Sequence, residues 1–186
     1  MENSAILEKK LANNSALTRK KLTDAALPLF LSHGFDGTGI NQILKNASLS
    51  KGAFYHHFSS KQQIYQEVMF EFFLIPIKSL ELDEIAKLPL KIMRKVIADH
   101  YSNLPHLISK NSDISMTRYY ASFYEALDRL PAFKQELQNH YASLIEIIAK
   151  QTNEEREIFP KVANAHARNI ISTLEGQILL GILLHK

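Results

Sequence analysis

The sequence predicts an all-α chain in which an amino-terminal three-helix unit precedes a larger helical domain. Three observations carry this expectation. Apolar residues recur at helical spacing along most of the 186 residues, with few stretches that look like strands. Residues that cap helices, among them Thr18, Thr38, Ser50 and Ser60, stand where new apolar stripes begin. Glycine and proline number six each, and they fall mostly between the helical patterns.

The elements follow in order. Residues 1–17 read as a partly helical arm, because Ile6, Leu7 and Leu11 share a face. Thr18 is the expected cap of the first firm helix. Its stripe is Leu22, Ala25, Ala26, Leu29 and Phe30, and Pro28 should kink it. Gly34 then suits the left-handed position that ends many helices. Thr38 should cap a short helix over residues 39–46 with Ile40, Ile43 and Leu44 inward. A tight turn at Ala47-Ser48-Leu49 leads to Ser50, the cap of a helix over 51–57. Two short helices joined by such a turn form a helix-turn-helix, here at about 39–58. Ser60 can cap a long helix over 61–79 that Pro76 should bend near its end. Further helices are expected at 89–104, 113–129, 131–151 and 161–185, with Pro89, Pro105, Pro131 and Pro160 at or near helix starts.

Charge is unevenly distributed. Residues 1–70 hold eight Lys or Arg against five Asp or Glu, whereas residues 71–186 hold fourteen of each. The whole excess of +3 therefore lies in the first part, which suggests a polyanionic partner for that part alone. There are no cysteines, so disulfides, thiolate metal sites and cysteine nucleophiles are excluded. The longest apolar runs, Phe72–Ile77 and Ile178–Leu184, fall well short of the ~20 residues that cross a bilayer. The first 17 residues carry Glu2, Glu8, Lys9 and Lys10 and do not read as a signal peptide. A cytoplasmic location with no membrane partner is the expectation.

The run from Thr38 to Lys61, TGINQILKNASLSKGAFYHHFSSK, resembles the DNA-binding motif of the tetracycline-repressor (TetR) family. The likeness covers roughly residues 18–67: the first helix, Gly-Phe, the threonine, the isoleucine pair, Ser-Lys-Gly, Tyr, Phe and Lys arrive in order. Ser48 departs from it, standing where such motifs usually carry glycine. The resemblance implies a three-helix helix-turn-helix DNA-binding domain over 1–67 and a helical ligand-binding and dimerisation domain over 68–186. It implies a ligand-responsive regulator, most often a repressor, that reads a palindromic double-stranded DNA operator as a homodimer.

The residues also admit a physical reading. Ser50 satisfies N–H groups at the helix start, and the remaining ones present partial positive charge to a phosphate. Lys51 can reach a guanine edge or a phosphate, and Gly52 lets backbones approach closely. Phe54 and Phe58, four apart, should face the core, leaving Tyr55 for a phosphate and His56 for a base edge or phosphate. Thr38 and Lys61 complete the expected DNA-binding set. His57 is expected to pack against the first helix, and Arg19, Lys20 and Lys21 to form a solvated face. Neighbouring His56 and His57 point about 100° apart on a helix and have no carboxylate four residues on, so no metal site is expected.

In the second part, His100, Tyr101, Tyr120, Phe123 and Tyr124 are the candidates to line an effector pocket. Aromatic walls with hydrogen-bonding tips suit a small, mostly apolar molecule. Helices 131–151 and 161–185 are the expected dimer elements, the latter through a wide stripe that includes Val162, Ile170, Leu174 and Gln177, with Gly176 and Gly181 permitting close approach. No catalytic triad order, paired carboxylates, phosphate loop or cofactor motif occurs, so neither an enzyme nor a cofactor is expected. The alternative is a helical scaffold or partner-binding protein with no role on DNA.

Overall fold

A computed structural model describes residues 2–108 and 115–184, and no strand occurs among them. The first helix, α1 (Glu2–Gly37), leaves helical geometry only at Gly34, whose φ of 69° and ψ of −178° break it. Two sequence expectations change here. Thr18 does not cap the helix but lies inside it, its hydroxyl donating to the Asn14 carbonyl at 2.9 Å. Pro28 is carried within α1, and the non-helical geometry falls at Gly34 instead.

Helices α2 (Ile40–Ala47) and α3 (Lys51–His57) follow as the expected helix-turn-helix. The cap of α2 is Gly39 and not Thr38. Thr38 is buried, and its hydroxyl donates to the Gly34 carbonyl at 2.8 Å, so it closes the break in α1 and leaves the cap position to its neighbour. Ser48 takes a left-handed conformation (φ 53°, ψ 43°), which costs a non-glycine residue roughly 1 kcal/mol. Ser50 caps α3 by accepting from the Ala53 N–H at 3.2 Å.

The next helix runs from α4 (Lys61–Met69) through a π turn at Phe70–Leu74 into α5 (Ile75–Lys78). Ser60 caps it as expected, accepting from the Gln63 N–H. The widened turn directly precedes Pro76, whose ring would otherwise strike the carbonyl four residues earlier. A short α6 (Leu82–Ile85) was not expected, being too brief to show a period. Then come α7 (Leu90–Ile108), α8 (Met116–Arg129), α9 (Pro131–Arg156) and α10 (Pro160–Leu184).

One continuous core joins both halves. Leu22, Ala26 and Phe30 of α1 meet Ile43 of α2, Phe54 of α3, Phe58, and Ile64, Tyr65 and Val68 of α4. Phe73, Met93, Phe133, Leu144 and Ile148 continue it among the later helices. Arg19 is not part of a solvated face. Its guanidinium pairs with Glu67, donates to the His57 carbonyl at 3.0 Å and lies 4.5 Å from the Phe58 ring centre. This arginine ties α1 to α3 and α4. Lys20 reaches Asp24 and Glu71 in the same way at greater exposure.

Candidate nucleic-acid interface and effector cavity

Helix α3 has seven residues and one buried side chain, Phe54. A helix that short has no stability of its own, so Phe54 and the following Phe58, both fully buried with ring centres 5.7 Å apart, hold it in place. With those rings inward, Lys51, Gly52, Tyr55 and His56 are exposed, and so is the cap residue Ser50. Tyr55 is 49% exposed, and the Lys51 ammonium lies 5.9 Å from its ring centre. These five residues form one solvent-facing group. The two other expected members are placed differently. Thr38 is buried, and Lys61 donates to the Phe35 carbonyl at 2.7 Å with its ammonium 4.1 Å from the Phe35 ring centre.

A second cluster joins the α1 break to α8. Both Glu125 carboxylate oxygens accept from the Phe35 N–H at 3.1 Å. Arg129, one turn later, pairs with Asp36 and Glu125 and stacks 4.7 Å from the Phe35 ring centre. The Tyr65 ring packs edge-on against Phe30 and Phe35, each at 4.9 Å. Sequence reading missed this junction because its partners lie about ninety residues apart.

The third site lies among α5, α7, α8, α9 and α10. A cavity of about 20 Å³ is lined by Ile77, Leu104, Phe123, four tyrosines (Tyr101, Tyr119, Tyr120 and Tyr141) and Glu175. Beside it a groove of about 530 Å³ shares Tyr120, Phe123, Tyr141 and Glu175, and adds Tyr124 and Leu137. Four of the five expected pocket residues are therefore at one or both spaces. His100 lines neither and approaches the Ile77 carbonyl at 3.3 Å. Tyr141 and Glu175 were missed. Glu175 lies on the helix read as a dimer element but outside its apolar stripe, and nothing in a single helix shows that its side chain faces three other helices.

A chain of polar groups runs through this region. The Tyr141 hydroxyl donates to Glu175 at 2.8 Å, and the Tyr101 hydroxyl meets His140 Nε2 at 3.0 Å. Burial raises the Glu175 carboxyl above its ordinary value, against the opposing hydrogen bond from Tyr141. Burial, then the positive charges of Lys78 and His100, pushes His140 below the ordinary imidazole value. The folded state then binds fewer protons at His140 than the unfolded chain does. Its stability contribution is complete above the ordinary value of 6.5 and is lost as pH falls below it. Urea unfolding between about pH 7 and about pH 5 should show wild type losing more stability than His140→Gln. Identical pH dependence in the two proteins would refute this assignment.

Comparison with known proteins bears on the amino-terminal half directly. Residues 22–68 match the family described as bacterial regulatory proteins, tetR family. The likeness to that family is carried by this segment, about a quarter of the chain. The matched segment contains all of α2 and α3 and most of the buried residues that hold them. Over 94 residues the chain is 32% identical to the HTH-type transcriptional regulator AcrR of Shigella flexneri, covering 49% of this chain and 43% of that protein. Over 49 residues it is 39% identical to IcaR of Staphylococcus aureus (strain Newman), the negative transcriptional regulator of the biofilm operon icaADBC, covering 26% of each. The alignments thus span less than half of these TetR-family relatives. The fold likeness extends further. A transcriptional regulator from Aquifex aeolicus VF5 superposes with a TM-score of 0.61 at 22% identity, over 87% of this chain and 85% of that one. Reduced E. coli NemR gives 0.59 at 19% identity, over 89% and 88%. The all-α architecture of a helix-turn-helix domain followed by a helical domain is therefore shared along most of the chain.

Proposed function

We propose that this protein is a dimeric, ligand-responsive transcriptional repressor that docks α3 into the major groove of a palindromic operator. The supporting observation is the division of α3 into a buried aromatic side and an exposed Ser50-Lys51-Gly52-Tyr55-His56 side. The exposed set joins a capped helix start, a cation and two hydrogen-bonding rings, the chemistry of phosphate and base-edge contact. Nothing inside the chain demands a glycine at position 52, since an added Cβ would meet only Ser50 Oγ at 3.8 Å. Space for an approaching phosphate backbone is a sufficient reason for it. Thr38 acts from within by shaping the α1–α2 corner. Lys61 has donors beyond the one given to Phe35, and these serve a phosphate.

One short helix reads only a few base pairs, so specificity requires two copies set one helical turn apart, ~34–36 Å. We assign the dimer contact to α9 and α10, where Phe159 of the connecting loop and Val162 and Leu180 of α10 are exposed. Gly176 offers open space there, with nothing among the described residues within 4 Å of an added Cβ, while the surroundings of Gly181 lie outside the described residues. The domain division at 67/68 falls inside α4, a helix common to both halves. Effector binding is relayed by that helix and also by α8. The latter carries Tyr120 and Phe123 at the cavity and, one turn on, the Glu125 and Arg129 that grip Phe35 and Asp36. Ligand binding then changes the spacing of the two α3 helices.

Fluorescence anisotropy on a duplex selected from a random pool tests the reading. The logarithm of affinity should fall linearly with the logarithm of salt concentration. Lys51→Ala should weaken binding by ~1–3 kcal/mol if it reads a guanine, and Tyr55→Phe should also weaken it. A salt slope near zero, or full affinity in both variants, would overturn the proposal.

A further inference from the structure

We infer that the cavity at Glu175 binds the ammonium head of an amphiphilic organic amine whose apolar body lies in the adjoining groove. This deepens, and rests on, the effector role proposed for this half. Three observations carry it. First, Glu175 faces four tyrosines and Phe123 and has no cationic partner among the described residues. Among the described residues its one hydrogen bond comes from Tyr141, a neutral donor. A partly buried carboxylate satisfied by a single hydroxyl leaves its charge uncompensated, and the raised carboxyl value reflects that state.

Second, the walls suit a cation. Aromatic faces carry negative potential, and ring pairs surround the space: Tyr119 with Phe123 at 6.4 Å, and Tyr101 with Tyr141 at 6.0 Å. An anionic head would meet the carboxylate and no basic group inside the cavity. Lys134 and Arg168 stand only in the outer groove, where both are exposed to solvent.

Third, the sizes select the class of amine. About 20 Å³ holds a group the size of one water, which fits a primary ammonium and is too small for a quaternary one. The three ammonium donors can divide between Glu175 and tyrosine oxygens. The neighbouring 530 Å³ groove, with Phe123, Tyr124 and Leu137 in its wall, accepts an aryl or alkyl body.

Calorimetry on the full-length protein with phenylbutylammonium, phenylbutanol and phenylpentanoate tests this. These probes share one apolar body and differ in head charge. The amine should bind at least about tenfold more tightly than the alcohol, and the carboxylate should bind weakest. Glu175→Gln, which keeps shape and removes charge, should erase the amine's advantage and leave the alcohol unchanged. Tyr141→Phe should reduce amine affinity by a smaller factor, and it provides a second variant if the first fails to fold. Equal binding of alcohol and amine by wild type, or undiminished amine binding by Glu175→Gln, would overturn the inference. Operator affinity measured without amine separates the two readings. If wild type and Glu175→Gln bind DNA equally but no amine binds, the cation site falls and the regulator stands. If amine binds but DNA does not, the cation site stands and the regulator falls.

Discussion

Phe54→Ala should destabilise the protein by ~3–5 kcal/mol and abolish the proposed operator binding. The ring is fully buried, in contact with Phe58, and belongs to the same core as Ile43 and Tyr65. Truncation removes its transfer free energy and leaves a void that the surrounding helices fill only in part. The local consequence exceeds the global one. Phe54 is the sole buried side chain of α3, and seven residues cannot hold a helix alone. The expected signature is a large drop in urea midpoint together with loss of DNA binding under conditions where the rest of the chain remains folded. Amide exchange should show α3 unprotected while α9 keeps its protection. A variant that loses less than about 1 kcal/mol and still binds operator would contradict this picture of how α3 is held.

Gly34→Ala should cost at least ~1–3 kcal/mol from backbone strain alone. A φ of 69° with a ψ of −178° lies in a region that side-chain-bearing residues almost never occupy. The methyl group would also sit 3.3 Å from Glu125 Oε2 and 3.4 Å from Oε1, the same oxygens that accept from the Phe35 N–H. Both effects act at the junction between α1 and α8. The variant should therefore melt at a lower temperature. On the proposed mechanism it should also weaken the link between ligand binding and DNA release, although it touches neither the cavity nor α3. Thermal melts and operator release by a saturating effector measure the two parts separately. An unchanged melting temperature would mean that the break at Gly34 is not strained for other residues.

Much of the amino-terminal half was legible in the chain. The Ser50 and Ser60 caps, the positive φ at Gly34, the left-handed turn at Ser48 and the inward pair Phe54 and Phe58 are all local. A residue's neighbours three or four positions away set them, and those neighbours are written beside it. One error in this half had a tertiary cause: Arg19 reads as solvated until Glu67 and the His57 carbonyl arrive from elsewhere in the chain. The Thr38 error was local, its hydroxyl finding the Gly34 carbonyl four residues back. In the second half, helix positions were readable from proline placement and apolar spacing. The aromatic residues on α8 marked a candidate wall only because Tyr119, Tyr120, Phe123 and Tyr124 crowd one short segment.

The chain alone determined that this molecule is helical, where its short helices begin, and which face of α3 turns outward. Hydrogen bonding and side-chain periodicity within an α-helix close over four residues, so one stretch of sequence contains the whole argument. Only the tertiary structure decided that Glu125 would clasp Phe35, that Lys61 would lie on the Phe35 ring, and that Glu175 would meet tyrosines from three other helices. Those contacts join residues from 26 to 90 positions apart by numbering, and no periodic signal records which helix face will meet which. Burial then sets their chemistry: the same carboxylate that would be an ordinary solvated charge on an isolated helix becomes, at Glu175, an uncompensated one inside an aromatic wall.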